Sequence, residues 1–236
     1  MRLLIVLLSL LLSWYSPAAQ TAFSAKKITA SQIPKTIKFK GAVREAWTWN
    51  DKLGENILIT SLVKPFRVNQ PDQNEEVQTS ELYAFHFIKK DTIYKLLWPL
   101  SDAVKNCPFD ITLEFISDAV TITDLDNDSI AETKVQYKLV CRSDVSPAGM
   151  KLVMHEDTVK YALRAYMWLQ QGPEDKFAIT DKDVNLESIP KPKEEWEQYS
   201  QLAGRYESEK DFKKTTPVFI TYARKEWLKY VKERLE

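Results

Sequence analysis

Glycine is scarce in this chain, and its scarcity excludes a large group of enzymes. The 236 residues contain five glycines, each isolated from the others. Dinucleotide-binding and phosphate-binding loops need several glycines within a few residues, because the backbone has to approach the phosphate closely. The sequence therefore does not predict a nucleotide-dependent enzyme. The glycines are Gly41, Gly54, Gly149, Gly172 and Gly204.

An excess of positive charge is also missing. The chain has 33 basic and 33 acidic residues, and loss of Arg2 with an N-terminal signal would leave 32 basic residues and a net charge of −1. Nucleic-acid-binding domains are usually basic, because binding requires neutralisation of the phosphate backbone. A nucleic-acid partner is therefore not expected.

Long apolar runs are absent except at the N-terminus. Arg2 is followed by an apolar run from Leu3 to Leu12, and small residues follow at Ser16 to Ala19. This is the pattern of a cleavable signal peptide over residues 1–19, and its apolar core is shorter than the ~20 residues of a membrane span. The sequence predicts export to the periplasm or cell surface, with no transmembrane segment after cleavage. No cysteine near the cleavage site could carry a lipid.

Cysteine is limited to Cys107 and Cys141. An even number of cysteines in a chain bound for an oxidising compartment predicts one intramolecular disulfide bond. Two buried thiols are the alternative.

Short runs rich in β-branched and aromatic residues extend from Thr36 to Trp168. Polar turn clusters separate them, as in antiparallel sheets. The sequence predicts a mainly β or β-rich α+β fold, an antiparallel meander or sandwich of about nine to ten strands with C-terminal helices. The runs are Ile37–Lys40, Val43–Trp49, Asn56–Val63, Glu81–Ile88, Thr92–Trp98, Ile111–Phe115, Ala119–Thr123, Glu132–Val140, Met150–His155 and Val159–Tyr166.

Alternating residues in two of these runs share one face, which predicts strands that bury a single side. They are Ile111, Leu113 and Phe115 in one run, and Val135, Tyr137 and Leu139 in the other.

The ends of the chain have a different character. Residues 20–35 are polar and mixed and predict a tether before a β domain at 36–169. Residues 170–193 are charged and contain four breaking residues, which predicts a linker. Residues 194–236 predict helices packed on the sheet, with binding of the second helix to a membrane surface as the alternative. That helix follows Pro217 and carries Ile220, Ala223, Trp227, Tyr230 and Val231 opposite Arg224, Lys225, Lys229 and Lys232.

One loop carries a recognisable chemical pattern. The segment from Asp124 to Glu132 places carboxylates at positions 1, 3, 5 and 9 between two predicted strands. Closely spaced carboxylates repel one another, and Ca²⁺ is the hard cation that binds six to eight oxygens in flexible loops. The sequence predicts a calcium site, with a solvated acidic turn as the alternative. Its predicted ligands are Asp124, Asp126, Asp128, Glu132 and the carbonyl oxygen of Ile130.

The spacing of this loop resembles the calcium loops of FG-GAP and integrin β-propeller repeats. Those loops usually carry glycine at position 6, where this chain has Ser129. A non-glycine residue in the left-handed conformation costs on the order of 1 kcal/mol, which predicts a weaker site. The loop occurs once, so a propeller is not expected.

Catalytic candidates are few. His86 and His155 are the only histidines, and neither adjoins a nucleophile motif. His86 could act as an acid or base, but packing inside the sheet is the favoured interpretation. Arg142 and Asp144, in the turn after Cys141, could hold a ligand by charge-assisted hydrogen bonds. A structural turn is the favoured alternative for this segment.

Several segments together resemble a family of exported Bacteroidota proteins that is named for surface polysaccharide biosynthesis. The similarity spans about Phe39 to Leu163 and implies a pathway without implying a reaction, so no catalytic residue is transferred. The segments are Trp47-Thr48-Trp49, Gly54-Glu55-Asn56, Glu81-Leu82-Tyr83-Ala84-Phe85-His86, Cys107-Pro108-Phe109-Asp110, Thr123-Asp124-Leu125-Asp126-Asn127-Asp128 and Cys141-Arg142-Ser143-Asp144-Val145-Ser146-Pro147.

The resemblance implies a partner in the cell envelope, such as a surface polysaccharide. The expected function is that of an exported, non-catalytic calcium-binding β protein that supports envelope assembly by binding. Two alternatives stay open: an envelope hydrolase acting on glycans, and a secreted adhesion module.

Overall fold

The fold is mainly β, as the sequence predicts. A computed structural model describes residues 24–68, 76–170 and 172–233, and the predicted signal peptide lies outside these ranges. The described chain has twelve strands: nine predicted runs form strands, the run at Ile37–Lys40 does not, and three short strands were not predicted. The strands are β1 (Lys26–Ile28), β2 (Ala42–Asp51), β3 (Gly54–Val68), β4 (Val77–Lys90), β5 (Ile93–Cys107), β6 (Asp110–Phe115), β7 (Thr121–Thr123), β8 (Glu132–Arg142), β9 (Gly149–Glu156), β10 (Val159–Tyr166), β11 (Trp168–Leu169) and β12 (Lys232–Glu233), and the α-helices are α1 (Glu195–Leu202) and α2 (Pro217–Tyr230).

The first sheet is a five-stranded antiparallel meander in the order β1-β2-β3-β4-β5. Each strand pairs with the next one in sequence, which agrees with the general tendency of neighbouring strands to be adjacent in space. The turn between β2 and β3 is closed by the pair Asp51 and Gly54. Gly54 has a φ of 131°, a conformation that favours glycine.

The second sheet is antiparallel in the order β10-β9-β8-β6. β7 pairs with the first residues of β8, whereas β6 pairs with its second half. β6 and β7 therefore lie end to end along one edge of β8. The chain between β7 and β8 is the predicted calcium loop.

The two sheets pack face to face over a common apolar core. Trp49, Leu58 and Leu82 of the first sheet belong to the same buried cluster as Val135 and Val153 of the second. Both predicted faces point into this cluster, so the alternation in the sequence is confirmed. The residues on these two faces are Ile111, Leu113 and Phe115 on β6, and Val135, Tyr137 and Leu139 on β8.

The N-terminal segment covers the outer face of the first sheet, so the tether predicted at residues 20–35 is wrong from Lys26 onward. β1 pairs with β2, and Ile33 and Ile37 are buried against the sheet. Ile37 donates its N–H to the carbonyl of Pro34, in a turn that replaces the strand predicted at Ile37–Lys40. Lysines separate the apolar residues here, so their burial left no periodicity in the sequence.

The C-terminal segment covers the outer face of the second sheet. Met150, Leu152 and Met154 of β9 pack in one cluster with Ala223 and Trp227 of α2. The expectation of a single buried side is wrong for β8, where Lys134 and Gln136 are also buried, because α2 covers the face turned away from the first sheet. It holds for β6, whose Glu114 is exposed. The packing of α2 on the sheet follows the favoured interpretation of its apolar stripe.

The predicted linker at 170–193 contributes to this layer. Val184 is fully buried in the same cluster. Beyond this segment, the carbonyl of Gly204 accepts a hydrogen bond from Nε1–H of Trp227 at 3.0 Å. Within the described ranges, every helix is too short or too polar to cross a membrane.

The predicted disulfide bond is present and joins the two sheets. Cys107 ends β5 and Cys141 lies near the end of β8, 34 positions further along the sequence. Two further contacts lie nearby: Asp102 of β5 accepts hydrogen bonds from the Tyr137 hydroxyl at 2.8 Å and the Lys151 ammonium at 2.5 Å. One end of the sandwich is therefore fixed covalently and electrostatically.

Replacement of both cysteines by serine should lower the free energy of unfolding by about 3.5 to 4 kcal/mol, because a closed loop of this length restricts the unfolded chain. Urea denaturation of the variant and the oxidised protein measures the difference. Oxidised protein treated with a reductant should reproduce the loss. Equal unfolding midpoints in all three samples would contradict this role.

Candidate metal centre

The loop between β7 and β8 is held closed by the strands on either side of it. Thr123, which ends β7, pairs with Glu132, which begins β8. Inside the loop, the Asp128 N–H donates to Asp126 at 3.3 Å and the Ile130 N–H donates to Asp128 at 2.7 Å. Carboxylates that accept backbone N–H groups two residues onward form tight Asx turns. The turns keep the acidic side chains close together.

Two loop residues adopt left-handed backbone conformations. The φ angle of Ser129 is 71°, as its place at position 6 predicts, and that of Asn127 is 61°. Asparagine tolerates this region better than serine because its side chain can bond locally to the backbone.

Three predicted ligands lie together on this loop. Asp124, Asp126 and Asp128 each offer a carboxylate oxygen, and these atoms lie within 4.8 Å of one another. One Oδ1 atom, that of Asp124, is buried without a hydrogen-bond partner. Oxygens bound to one Ca²⁺ at 2.3–2.6 Å can be separated by no more than about 5 Å. This triad, which we call the loop triad, therefore has the spacing that one ion requires.

Glu132 is the most enclosed of the predicted ligands, with 1% of its surface exposed. Its Oε2 accepts the Leu125 N–H at 2.8 Å and the Thr123 hydroxyl at 3.3 Å, whereas its Oε1 has no partner. Burial raises the pKa of the Glu132 carboxyl to about 7, and the charge of Asp126 adds to the rise. A nearby cation would favour the ionised form and reverse this shift.

Glu156 joins the acidic cluster although the sequence did not identify it. It ends β9 and pairs directly with Glu132 of β8. Oxygens of Asp126, Glu132 and Glu156 lie within 4.8 Å of one another, and we call these residues the strand triad. Burial raises the pKa of Glu156, and the charges of Asp126 and Asp128 add to this effect. Glu156 lies 24 positions after Glu132 in sequence, so only the register between β8 and β9 shows that it belongs to the cluster.

Hydrogen bonds attach the loop to the first sheet. The Lys52 N–H donates to the Ser129 carbonyl at 2.8 Å, and the Ala131 N–H donates to Asp51 at 3.3 Å. The same Asp51 oxygen accepts the Trp49 Nε1–H at 2.9 Å. The turn between β2 and β3 thus fixes the loop to the other sheet.

The charge of the cluster is not balanced by basic side chains. Over the described ranges, none of the five carboxylates forms a salt bridge. Carboxylate oxygens are the ligands that hard divalent cations prefer, so the residues fit such an ion. The place of the Ile130 carbonyl as a ligand stays a prediction. The five residues are Asp124, Asp126, Asp128, Glu132 and Glu156.

Both histidines lie inside the sandwich. His86 and His155 are 3% and 4% exposed, and Trp98 lies between them, with its ring 3.8 Å from that of His155 between centroids. His86 bonds to Asn56 through Nε2 at 2.9 Å. Burial lowers the pKa of His86 to about 4 and that of His155 to about 3. His86 is therefore packed inside the sandwich, as the favoured interpretation of the sequence predicts, and its ring does not lie at the surface where it could contact a ligand.

Arg142 and Asp144 have structural partners. Arg142 forms a salt bridge with the buried Glu233 of β12 at 3.0 Å, and Glu233 also accepts the Ala148 N–H at 2.9 Å. Asp144 accepts the Ser146 N–H at 2.9 Å within the turn. These contacts match the structural alternative for this segment.

A cleft of about 560 Å³ opens beside this turn, at the end of the second sheet away from the acidic loop. Lys151 of β9 and Arg164 of β10 are direct cross-strand partners, and both line the cleft together with Tyr166 and Glu207. Each of these cations also has an acidic partner: Lys151 lies 2.5 Å from Asp102 and Arg164 lies 3.7 Å from Asp211.

Comparisons of this chain with protein-family models, with curated proteins and with solved structures gave no match.

Acidification should destabilise the protein through its histidines. The folded state holds both rings neutral, with pKa values of about 4 and 3 against 6.5 for the free side chain, so stability is complete above pH 6.5 and is lost as the pH falls towards 4. At pH 5 each histidine should cost about 2 kcal/mol.

His155→Phe keeps a ring against Trp98 but cannot be protonated. As the pH falls from 8 to 5, the free energy of unfolding of the variant minus that of the wild type should therefore rise by about 2 kcal/mol, because only the wild type loses stability through this residue. The raised pKa of Glu132 acts in the opposite direction, and the comparison cancels it because both proteins retain Glu132. A difference that does not vary with pH would contradict this account.

Proposed function

We propose that the protein is an exported β-sandwich that binds Ca²⁺ at the loop between β7 and β8 and supports the cell envelope by binding rather than by catalysis. The observation that carries the metal site is the cluster of five carboxylates without a salt bridge, of which Glu132 is almost fully buried. An unpaired buried charge is costly, and a divalent ion removes that cost.

The chemistry of the cluster favours calcium over magnesium. Ca²⁺ accepts six to eight oxygens in irregular arrangements, whereas Mg²⁺ requires a near-ideal octahedron and retains several waters. The ligands proposed for Ca²⁺ are flexible carboxylates at positions 1, 3 and 5 of the loop, with Glu132 at position 9 and the Ile130 carbonyl at position 7.

The ion would have a structural effect on the sandwich. The loop belongs to the second sheet but is bonded to the β2–β3 turn of the first through Lys52 and Asp51. Cys141 lies nine residues further along β8 than Glu132, which corresponds to about 30 Å in a strand. Calcium and the disulfide would therefore fix the two sheets at opposite ends.

Envelope polysaccharide is the proposed class of partner, and two features support it. The resemblance to the surface polysaccharide family covers most of both sheets, and the cleft places Lys151 and Arg164 side by side, each with one acidic partner. Paired cations would favour an acidic glycan through charge-assisted bonds to its carboxylates. The disulfide is compatible with an oxidising compartment outside the cytoplasm.

Placement of the histidines favours binding over hydrolysis. A glycan hydrolase that used His86 would need this ring at a surface that the substrate reaches, whereas Trp49 and Trp98 enclose it.

Calcium should raise the melting temperature of the protein, and EDTA should lower it. A free calcium concentration one hundred times the dissociation constant stabilises the folded state by about 2.7 kcal/mol. Asp126→Asn should abolish most of this stabilisation. Differential scanning calorimetry with calcium or EDTA provides the measurement.

Asp181→Asn is the matched control, because Asp181 is exposed and lies outside the cluster. It should respond to calcium like the wild type. Identical melting curves of the wild type in calcium and EDTA, with no heat on titration, would refute the calcium site.

Acidic glycans should bind the protein with at least tenfold lower affinity after Arg164→Gln, because the cleft loses one of its two cations. A glycan screen identifies the ligand, and titration of that ligand measures the loss. The exposed Arg67→Gln variant is the control for charge.

The same screen in EDTA should retain binding, because the cleft and the acidic loop lie at opposite ends of the second sheet. Glycan binding that survives in Arg164→Gln would exclude the cleft as the site. An absence of binding to any acidic glycan would remove the support for this class of partner.

A further inference from the structure

The five carboxylates divide into two triads that share one residue. The loop triad consists of Asp124, Asp126 and Asp128, and the strand triad consists of Asp126, Glu132 and Glu156. In each triad the oxygens lie within 4.8 Å of one another, which matches the spread of ligands around one Ca²⁺. The sequence pattern explains the loop triad and gives no reason for Glu156.

The strand triad contains a buried oxygen without a partner. Glu132 is 1% exposed, and two hydrogen bonds hold its Oε2 on the loop backbone and on Thr123. Its Oε1 has no hydrogen-bond partner and belongs to a residue that lies against Asp126 and Glu156. A buried polar atom of this kind needs an explanation, and a bound ion is one.

The strand register adds a second argument. Glu132 and Glu156 face each other directly across β8 and β9, on the same side of the sheet. Like charges in direct cross-strand pairs are destabilising. Tyr161 of β10 is mostly buried and hydrogen-bonds to Glu156, so this carboxylate is held in the cluster. The fold thus places two acidic residues side by side, although their charges repel each other.

Charge balance favours two bound ions over one. Five carboxylates carry a charge of −5 when ionised, so one divalent ion leaves −3 and two leave −1. Asp126 belongs to both triads, so its carboxylate would lie between the two ions.

We propose that Asp126, Glu132 and Glu156 form a second divalent-cation site, which shares Asp126 with the loop triad and takes Glu132, the ligand predicted at position 9 of the loop, as its own. The proposal rests on the proposed function for the loop triad and adds Glu156 as a ligand from β9. Calcium would then connect β9 to the loop as well as closing the loop itself.

Calcium bound per chain tests the proposal. Protein freed of metal by EDTA is dialysed to equilibrium against CaCl₂, and the bound ion is counted. The wild type should bind two ions, Glu156→Gln one, Asp128→Asn one and Asp126→Asn none. Glu195→Gln, at an exposed position on α1, should bind two.

Tyr161→Phe provides a milder test, because it removes one hydrogen bond to Glu156 and keeps the ring. Loss of a supporting hydrogen bond weakens metal binding by about 10 to 100-fold. In this variant, the affinity for one of the two ions should fall by that factor, and the affinity for the other should not change. Near-UV circular dichroism in EDTA checks that each variant retains the wild-type fold.

The possible results are distinguishable. One ion in the wild type that Glu156→Gln leaves unchanged would overturn the second site while the loop site stands. One ion lost in both Glu156→Gln and Asp128→Asn would overturn the proposal in favour of a single shared ion. No calcium bound to the wild type would overturn the proposed function as well.

Discussion

The burial of β8 on both faces is the constraint on which the rest of the structure depends. Val135 and Tyr137 face the first sheet, whereas Lys134 and Gln136 face the C-terminal helices, and all four are almost fully buried. Because a shift by one residue would exchange these two sets, the register of β8 is strongly fixed. That register also determines what lies at the strand ends. Glu132 enters the acidic cluster at one end, and the disulfide and Arg142 attach the other.

The helix-facing side of β8 contains a buried ion pair. Nζ of Lys134 lies 2.5 Å from Oε2 of Glu226 on α2, and the Tyr230 ring lies 5.0 Å from the ammonium. Burial lowers the pKa of Lys134, and Glu226 opposes that shift. A buried pair often adds little net stability, because desolvation offsets the attraction, but a misplaced helix would leave either charge alone at high cost. The pair therefore specifies where α2 lies on the sheet more than it strengthens the fold.

The parts of the molecule that the sequence predicted are those with a local signal. Runs of β-branched and aromatic residues identified nine strands, and carboxylate spacing identified the loop that holds Asp126. The parts that it missed depend on contacts between distant residues. Ile33 and Ile37 are isolated among polar residues, so their burial needs the sheet that they cover. Glu156 becomes part of the site only through its pairing with Glu132, and no short motif contains both.

The acidic loop combines electrostatic repulsion with backbone strain, and the first sheet keeps it in place. Asn127 and Ser129 have left-handed conformations, and the nearby carboxylates repel one another. Hydrogen bonds from Lys52 and to Asp51 hold the loop against the β2–β3 turn, so its shape depends on the packing of the two sheets. A site that is already ordered loses little binding free energy to ordering when its ligand arrives. The packing of the two sheets thus holds the carboxylates close together, where they repel one another. A cation bound by the loop would remove this repulsion.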